Sequence, residues 1–169
     1  FLILLFLIPF QLMFAQKSLL KDFPEGYTPK EIGKRIAYRF LTEKHALHVG
    51  KWIGYPETFY WSGALRYADG AKDKELIQRL QEKFDFLFTE EKILQPIMNH
   101  VDLNMFGSLP LEFYLVTKDL KYRYLGLPYA DSQWELPRNA KPHEKEWAEK
   151  GYSWQTRLWI DDMYMITIV

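Results

Sequence analysis

The sequence predicts an all-α protein built from helical hairpins, and three observations carry that prediction. From Thr28 onward apolar residues recur at three- and four-residue spacing, strand-like alternation is scarce, and the interruptions are Gly, Pro and Asp. A Lys-Asp turn at 72–73 returns at 118–119, and Gly63 and Gly107 stand near helix starts at a similar interval. The pattern is a repeating unit of about 45 residues. Aromatic residues make up 17% of the chain, enough for either a very aromatic interior or a sugar-stacking cleft.

The elements follow in order. Thr28-Pro29 supplies a cap residue and a first-turn proline, so a helix opens there, with Ile32, Ile36, Phe40 and Leu47 as its apolar stripe. On this reading His45 and His48 are surface residues of that helix, and Gly50 to Pro56 is a loop. A helical pair is predicted over 58–69 and 74–88, joined at Gly70–Asp73, with Leu76, Ile77, Leu80, Phe84 and Leu87 on one face of the second helix. A second pair covers 102–116 and 120–134, joined at Thr117–Asp119. Pro110 and Pro128 fall inside it, and an interior proline costs on the order of 3 kcal/mol, so a late start or a kink is expected there. Residues 137–150, rich in Glu and Lys, read as a solvated connection. Tyr152 to Val169 begins a third pair that stops in mid-helix, so the chain is expected to be the N-terminal part of a larger domain.

Charge and composition narrow the function. Lys+Arg and Asp+Glu both number 22, so the zero net charge offers no general attraction to nucleic acid or anionic lipid. There is no cysteine, which removes disulfides, thiol nucleophiles and thiolate metal sites. Residues 1–16 are nearly all apolar with Pro9 in the middle. About 15 such residues fall short of the roughly 20 that span a bilayer, so they read as a secretory signal with residues 17–169 as the mature part. Export to a bacterial periplasm or the extracellular space is the expectation, with no membrane association after cleavage.

Two acidic spots carry the candidate chemistry. Asp161 and Asp162 lie in an aromatic-rich helical pattern, and Asp102 opens another. An Asp in such surroundings must be paired, cap the helix, or be kept protonated, and a general acid needs the last. Asp102 and Asp161 are therefore read together as a candidate acid pair. For Asp161, helix capping or a salt bridge to Arg157 is the competing explanation; Asp162 is read as its structural neighbour, with the choice of reactive acid between the two left open. No metal-binding spacing is present.

Three motifs now resemble a known group: Tyr55-Pro-Glu-Thr-Phe-Tyr-Trp61-Ser-Gly-Ala-Leu-Arg66, His100-Val-Asp102 with Gly107 after it, and Trp159-Ile-Asp161-Asp-Met-Tyr-Met165. Together, over roughly Thr28 to Val169, they resemble the unsaturated uronyl hydrolases. The likeness is to the unsaturated rhamnogalacturonyl hydrolases, glycoside hydrolase family 105, with the family 88 unsaturated glucuronyl hydrolases as the related group. The resemblance implies an (α/α)6 barrel, a toroid of six hairpins of which about the first half is present in this chain. It implies catalytic acids at Asp102 and Asp161, no metal and no cofactor. The implied partner is an oligosaccharide ending in a C4=C5-unsaturated uronic acid. In that chemistry the double bond is protonated and water adds at C5, after which the hemiketal opens and releases the aglycone. Asp161 would be the proton donor and Asp102 would tune it.

For substrate contacts the expected residues are Trp159 beside the acid, Arg157 with His100 and Lys150 on the substrate carboxylate, and Tyr60 with Trp61 as sugar-facing aromatics. Gly63 and Gly107 read as packing positions. A helical-repeat binding scaffold without catalysis is the alternative function, and a lyase on the same toroid, which needs a Tyr/His base, is a nearer rival. The oligomeric state is left open.

Overall fold

A computed structural model describes residues 22–169. The predicted signal stretch, residues 1–16, lies outside the described residues. Helix α1 (Pro29–Thr42) starts as expected. The Thr28 hydroxyl accepts the Glu31 N–H at 3.2 Å and the Thr28 N–H donates to the Glu31 carboxylate at 3.0 Å, a reciprocal cap. Its buried residues are Ala37 and Phe40, while Ile36 faces out, so the core stripe is rotated from the predicted one. Gly33 lets α1 sit against the ring of Tyr67, where a Cβ would clash.

Leu47 does not belong to α1. It starts a short antiparallel pair, β1 (Leu47–His48) and β2 (Trp52–Ile53), reversed at Gly50 with φ of +71°. This ladder replaces the predicted helix end and loop. Helix α2 (Tyr55–Ala71) begins three residues before the expected Thr58, because Pro56 fits the first turn, where its missing N–H is no loss.

The Lys-Asp repeat has a physical cause. Helix α2 ends at Lys72 in the left-handed region, and Asp73 then caps α3 (Lys74–Asp85) by accepting the Leu76 N–H at 3.0 Å. Helix α5 (Ser108–Thr117) ends at Lys118 in the same conformation, and Asp119 caps α6 (Leu120–Ser132) by accepting the Lys121 N–H at 3.0 Å. Each turn is a left-handed C-cap followed by an Asp N-cap. Only the lysines are unusual, since glycine is the ordinary choice for that cap.

The predicted helix over 102–116 is broken into α4 (Val101–Asn104), a 3-10 turn (Met105–Gly107) and α5. The break places Pro110 in the first turn of α5, so that helix starts late, whereas Pro128 is accommodated inside α6. Of the two packing glycines, Gly107 meets Tyr129 closely enough to exclude a Cβ, and Gly63 has open space. The charged connection is not all loop. It contains α7 (Pro142–Glu149), whose start is signalled by Pro142 in the first turn and by Glu144 accepting the Lys141 N–H at 2.7 Å. Residues 150–159 are irregular, and α8 (Ile160–Thr167) follows.

The main core is aromatic. Trp61, Phe84, Phe106, Phe113 and Tyr122 are completely buried, with Phe84 4.9 Å from Phe113 and 5.6 Å from both Trp61 and Tyr122, centroid to centroid. Such spacings are those of attractive edge-to-face and offset pairs. A second, smaller core of Val101, Met105 and Met165 packs α4 against α8.

His45 is a mostly buried ion-pair partner, not a helix-surface residue. Its Nδ1 lies 2.7 Å from the buried Glu57 and its Nε2 3.1 Å from Glu91, tying the α1–β1 connection to α2 and to the turn after α3. Glu57 also accepts the Trp61 indole N–H at 3.2 Å and the Ala46 N–H at 3.0 Å, and Lys83 closes the group through the carbonyls of Phe40 and Glu43. The hydrogen bond to Glu57 raises His45 above its ordinary 6.5, against burial and with further help from the charges of Glu57 and Glu91. A raised folded value stabilises the fold fully below 6.5, and that contribution is lost as pH rises through the folded value. Thermal stability measured across neutral to alkaline pH should therefore fall in the native chain, and His45→Gln should remove that part of the slope.

Candidate active site

The site is built where the starts of α4 and α8 meet. His100 caps α4, its ring Nδ1 accepting the Asp102 N–H at 3.2 Å, which leaves Nε2 as the ring's remaining polar atom. Asp102 stands in the first turn of α4, and Asp161 and Asp162 stand in the first turn of α8, where the helix dipoles favour negative charge. Two buried polar links hold α4 in place: Asn104 donates to the Tyr129 carbonyl at 2.7 Å and accepts from Ser132 at 2.9 Å. On the other side, Trp154 donates to the Ser132 carbonyl at 2.8 Å and Gln133 to the Ile166 carbonyl at 3.2 Å. The end of α6 is thus a shared anchor for α4, for the segment that leads into α8 and for the last turn of α8.

Arg157 lies between them. Its Nη2 is 2.6 Å from Asp162, 2.9 Å from Asp102 and 3.9 Å from Asp161, so all three carboxylates converge on one nitrogen. The roles separate by burial. The Asp162 side chain is 1% exposed and caps α8, accepting the Arg157 N–H at 2.5 Å and the Trp159 N–H at 3.3 Å. Burial works against its charge, but the hydrogen bonds from Arg157 and Trp159 and the Arg157 charge hold it below the usual carboxylate range. Asp161 is 50% exposed and, among the described residues, accepts no hydrogen bond. The Asp102 carboxylate is mostly buried, bonded to Arg157 through Nη2 at 2.9 Å and Nη1 at 3.3 Å, with the His100 ring 3.6 Å away. The expected acid pair, Asp102 and Asp161, is therefore part of a larger group: three carboxylates around one guanidinium.

That arrangement gives Arg157 internal partners, which its reading as a substrate-carboxylate ligand does not include. Four of its five N–H donors go to Asp102 and Asp162, and one face is covered by Trp159, 4.2 Å from the ring centre. Burial acts against the guanidinium charge, but Asp162 and Asp102 outweigh it and raise Arg157 above its ordinary value.

Trp159 itself is 58% exposed, so its indole borders solvent next to Asp161. Trp61 is corrected outright: it is completely buried in the core and has no face to give a ligand. Tyr60 is exposed, but it lines a groove between α1 and α2 with Ile36, Phe40 and Lys44, none of which belongs to the carboxylate cluster. Lys150 is also not brought in. It pairs with Glu146 at 2.7 Å and lies over Trp147, at the far end of α7.

Beside the cluster runs an apolar cleft of about 530 Å³, lined by Trp134, Tyr152, Leu158, Trp159, Ile160 and Met163 among others. None of the three carboxylates lines it, so the carboxylate cluster, not the cleft, defines the candidate site. The anchoring role of Asp162 is the feature least legible in the sequence. Its signal is the spacing Trp159-x-x-Asp162, a cap position followed by an acid three residues later.

Two acidic helix starts brought together in an all-α chain suit a carboxylate-based hydrolase. No curated protein and no solved structure gave a significant match to the chain. The model of one family, Glycosyl Hydrolase Family 88, matches residues 29–169. That match takes in α1 to α8 and every residue of the carboxylate cluster, and the chain accordingly belongs to Glycosyl Hydrolase Family 88.

Proposed function

We propose that the protein removes a terminal C4=C5-unsaturated uronic acid from lyase-generated oligosaccharides of the rhamnogalacturonan type, with Asp161 as proton donor. One observation carries this reading: of the three carboxylates around Arg157, Asp161 alone is free of hydrogen bonds among the described residues and half exposed, and it stands next to an exposed indole. Family membership favours an enzyme over the scaffold reading. The two hairpins with matching turns support the six-hairpin toroid as the fold, and the apolar residues 1–16 support export.

The chemistry assigned to these groups balances without a cofactor. The Asp161 proton goes to C4 of the vinyl ether, leaving a cation at C5 shared with the ring oxygen. Water adds at C5 and gives a proton back to the Asp161 carboxylate. The hemiketal then opens at the bond between C5 and the ring oxygen, and the former anomeric carbon releases the aglycone as it becomes an aldehyde. In this scheme the free indole face of Trp159 stacks on the sugar and the His100 Nε2 is a polar contact for it. Asp102 belongs to the wall of the acid site through Arg157.

Incubation of the protein with an unsaturated galacturonyl-rhamnose disaccharide, following the ultraviolet absorbance of the double bond, tests the assignment. Loss of absorbance is the expected result, faster than with an unsaturated glucuronyl disaccharide. Loss with the glucuronyl substrate alone would keep the reaction and replace the substrate; loss with neither, from folded protein, would remove the reaction.

A further inference from the structure

We infer that Arg157 is the positioning residue of this site: it clamps Asp102 to the start of α8 and thereby sets where Asp161 stands, and it does not bind the substrate carboxylate. The inference rests on the reading of Asp161 as the proton donor.

Four of its five N–H donors are already committed. Nε and Nη2 donate to one oxygen of Asp162 at 3.0 and 2.6 Å, while Nη1 and Nη2 donate to the two oxygens of Asp102 at 3.3 and 2.9 Å. Trp159 covers one face, and the side chain is 25% exposed. An incoming carboxylate would have to displace a partner to bind the fork bidentately, and Asp162 has no route to water. What the fork does accomplish is a bridge between two helix starts that are far apart in sequence, α4 and α8, with Asp161 one residue from the clamped Asp162 and 3.9 Å from the same nitrogen. A planar guanidinium can hold two carboxylates at fixed angles; an ammonium cannot.

The backbone is shaped to the same end. Leu158, between Arg157 and Trp159, has φ of +60°, a left-handed conformation that a branched non-glycine residue adopts only when its surroundings hold it there. Three hydrogen bonds do so: the Leu158 N–H donates to the Thr156 hydroxyl at 3.0 Å, and the Arg157 and Trp159 N–H groups on either side both donate to Asp162. The strained turn and the guanidinium thus fix Trp159 and Asp161 as one unit.

Steady-state kinetics on the unsaturated disaccharide separate the two roles of Arg157, because loss of ground-state binding appears in KM and loss of geometry in the reacting complex appears in kcat. Arg157→Lys keeps the charge and loses the fork. A misplacement of about 1 Å can cost on the order of 100-fold, so kcat should fall by that factor while KM stays within about threefold. Thr156→Val, which loosens the turn and leaves every charge in place, should lower kcat about tenfold, again with KM unchanged. Circular dichroism and the melting temperature, with kinetics taken well below melting, ensure that a smaller folded fraction is not read as a lower kcat. A KM increase that exceeds the kcat loss in Arg157→Lys, or full kcat in both variants, would overturn the positioning role and leave the reaction standing. Absence of turnover by the wild-type protein would overturn both readings together.

Discussion

Asp161→Asn should lower turnover of the unsaturated disaccharide by at least 10²- to 10⁴-fold, roughly the contribution of a positioned general acid, while the protein stays folded. The substitution is isosteric, and the side chain is half exposed with no hydrogen bond to lose among the described residues, so its charge adds little to the fold beyond the 3.9 Å approach to Arg157 and the first turn of α8. The chemistry does, because an amide has no proton acidic enough to give to carbon. The neighbouring Asp162 offers the contrast. Its carboxylate closes the cap of α8 and pairs with Arg157 away from water, so its replacement acts first on structure. Near-native turnover in Asp161→Asn would take the proton-donor role away from this residue.

Phe84→Ala should cost about 3–5 kcal/mol of stability, the usual range for truncating a buried aromatic ring. Against a total of about 5–15 kcal/mol for a folded domain, that is a large fraction. The ring is completely buried and lies within 6.2 Å, centroid to centroid, of Phe88, Phe106, Phe113, Trp61 and Tyr122. Five aromatic neighbours from five segments cannot all close on the space left by one ring, so the cavity persists. The midpoint of urea unfolding reports the loss; an unchanged midpoint would mean that the aromatic core is not the main support of the fold.

The all-α class and the hairpin turns are legible in the sequence because they rest on local chemistry. A Lys-Asp pair in the turns reflects a C-cap and an N-cap side by side, and both sit within four residues of the groups they satisfy. The features that sequence misplaces depend on contacts that no local pattern encodes. His45 looks like a helix-surface histidine until Glu57 and Glu91 are brought to its two nitrogens from residues 12 and 46 positions away. Helix α7 is hidden by its charge, since an exposed helix and a solvated loop share that composition, and only Pro142 and Glu144 mark it.

The site divides in the same way. Asp102 and Asp161 at helix starts can be read from motif and pattern, and so can an indole beside the acid. Arg157 cannot be placed, because an arginine near an acid fits an internal clamp and a substrate ligand equally well in sequence. The difference lies in which of its donors are already taken, and Asp102, 55 residues away, takes two. Trp61 misleads for the related reason that a helical aromatic has two possible faces, and the indole N–H bonded to Glu57 pins this one inward.

The most direct test of the proposed reaction is to run the wild-type protein in D2O with the unsaturated galacturonyl-rhamnose disaccharide. Rhamnose release, double-bond absorbance and deuterium at C4 of the released uronate are then followed together at early times. Protonation and hydration of the double bond require absorbance to fall no later than rhamnose appears, with one deuterium at C4. Rhamnose that appears while the absorbance persists would mean that the glycosidic bond is cleaved directly, and would contradict Asp161 as the donor of a proton to carbon.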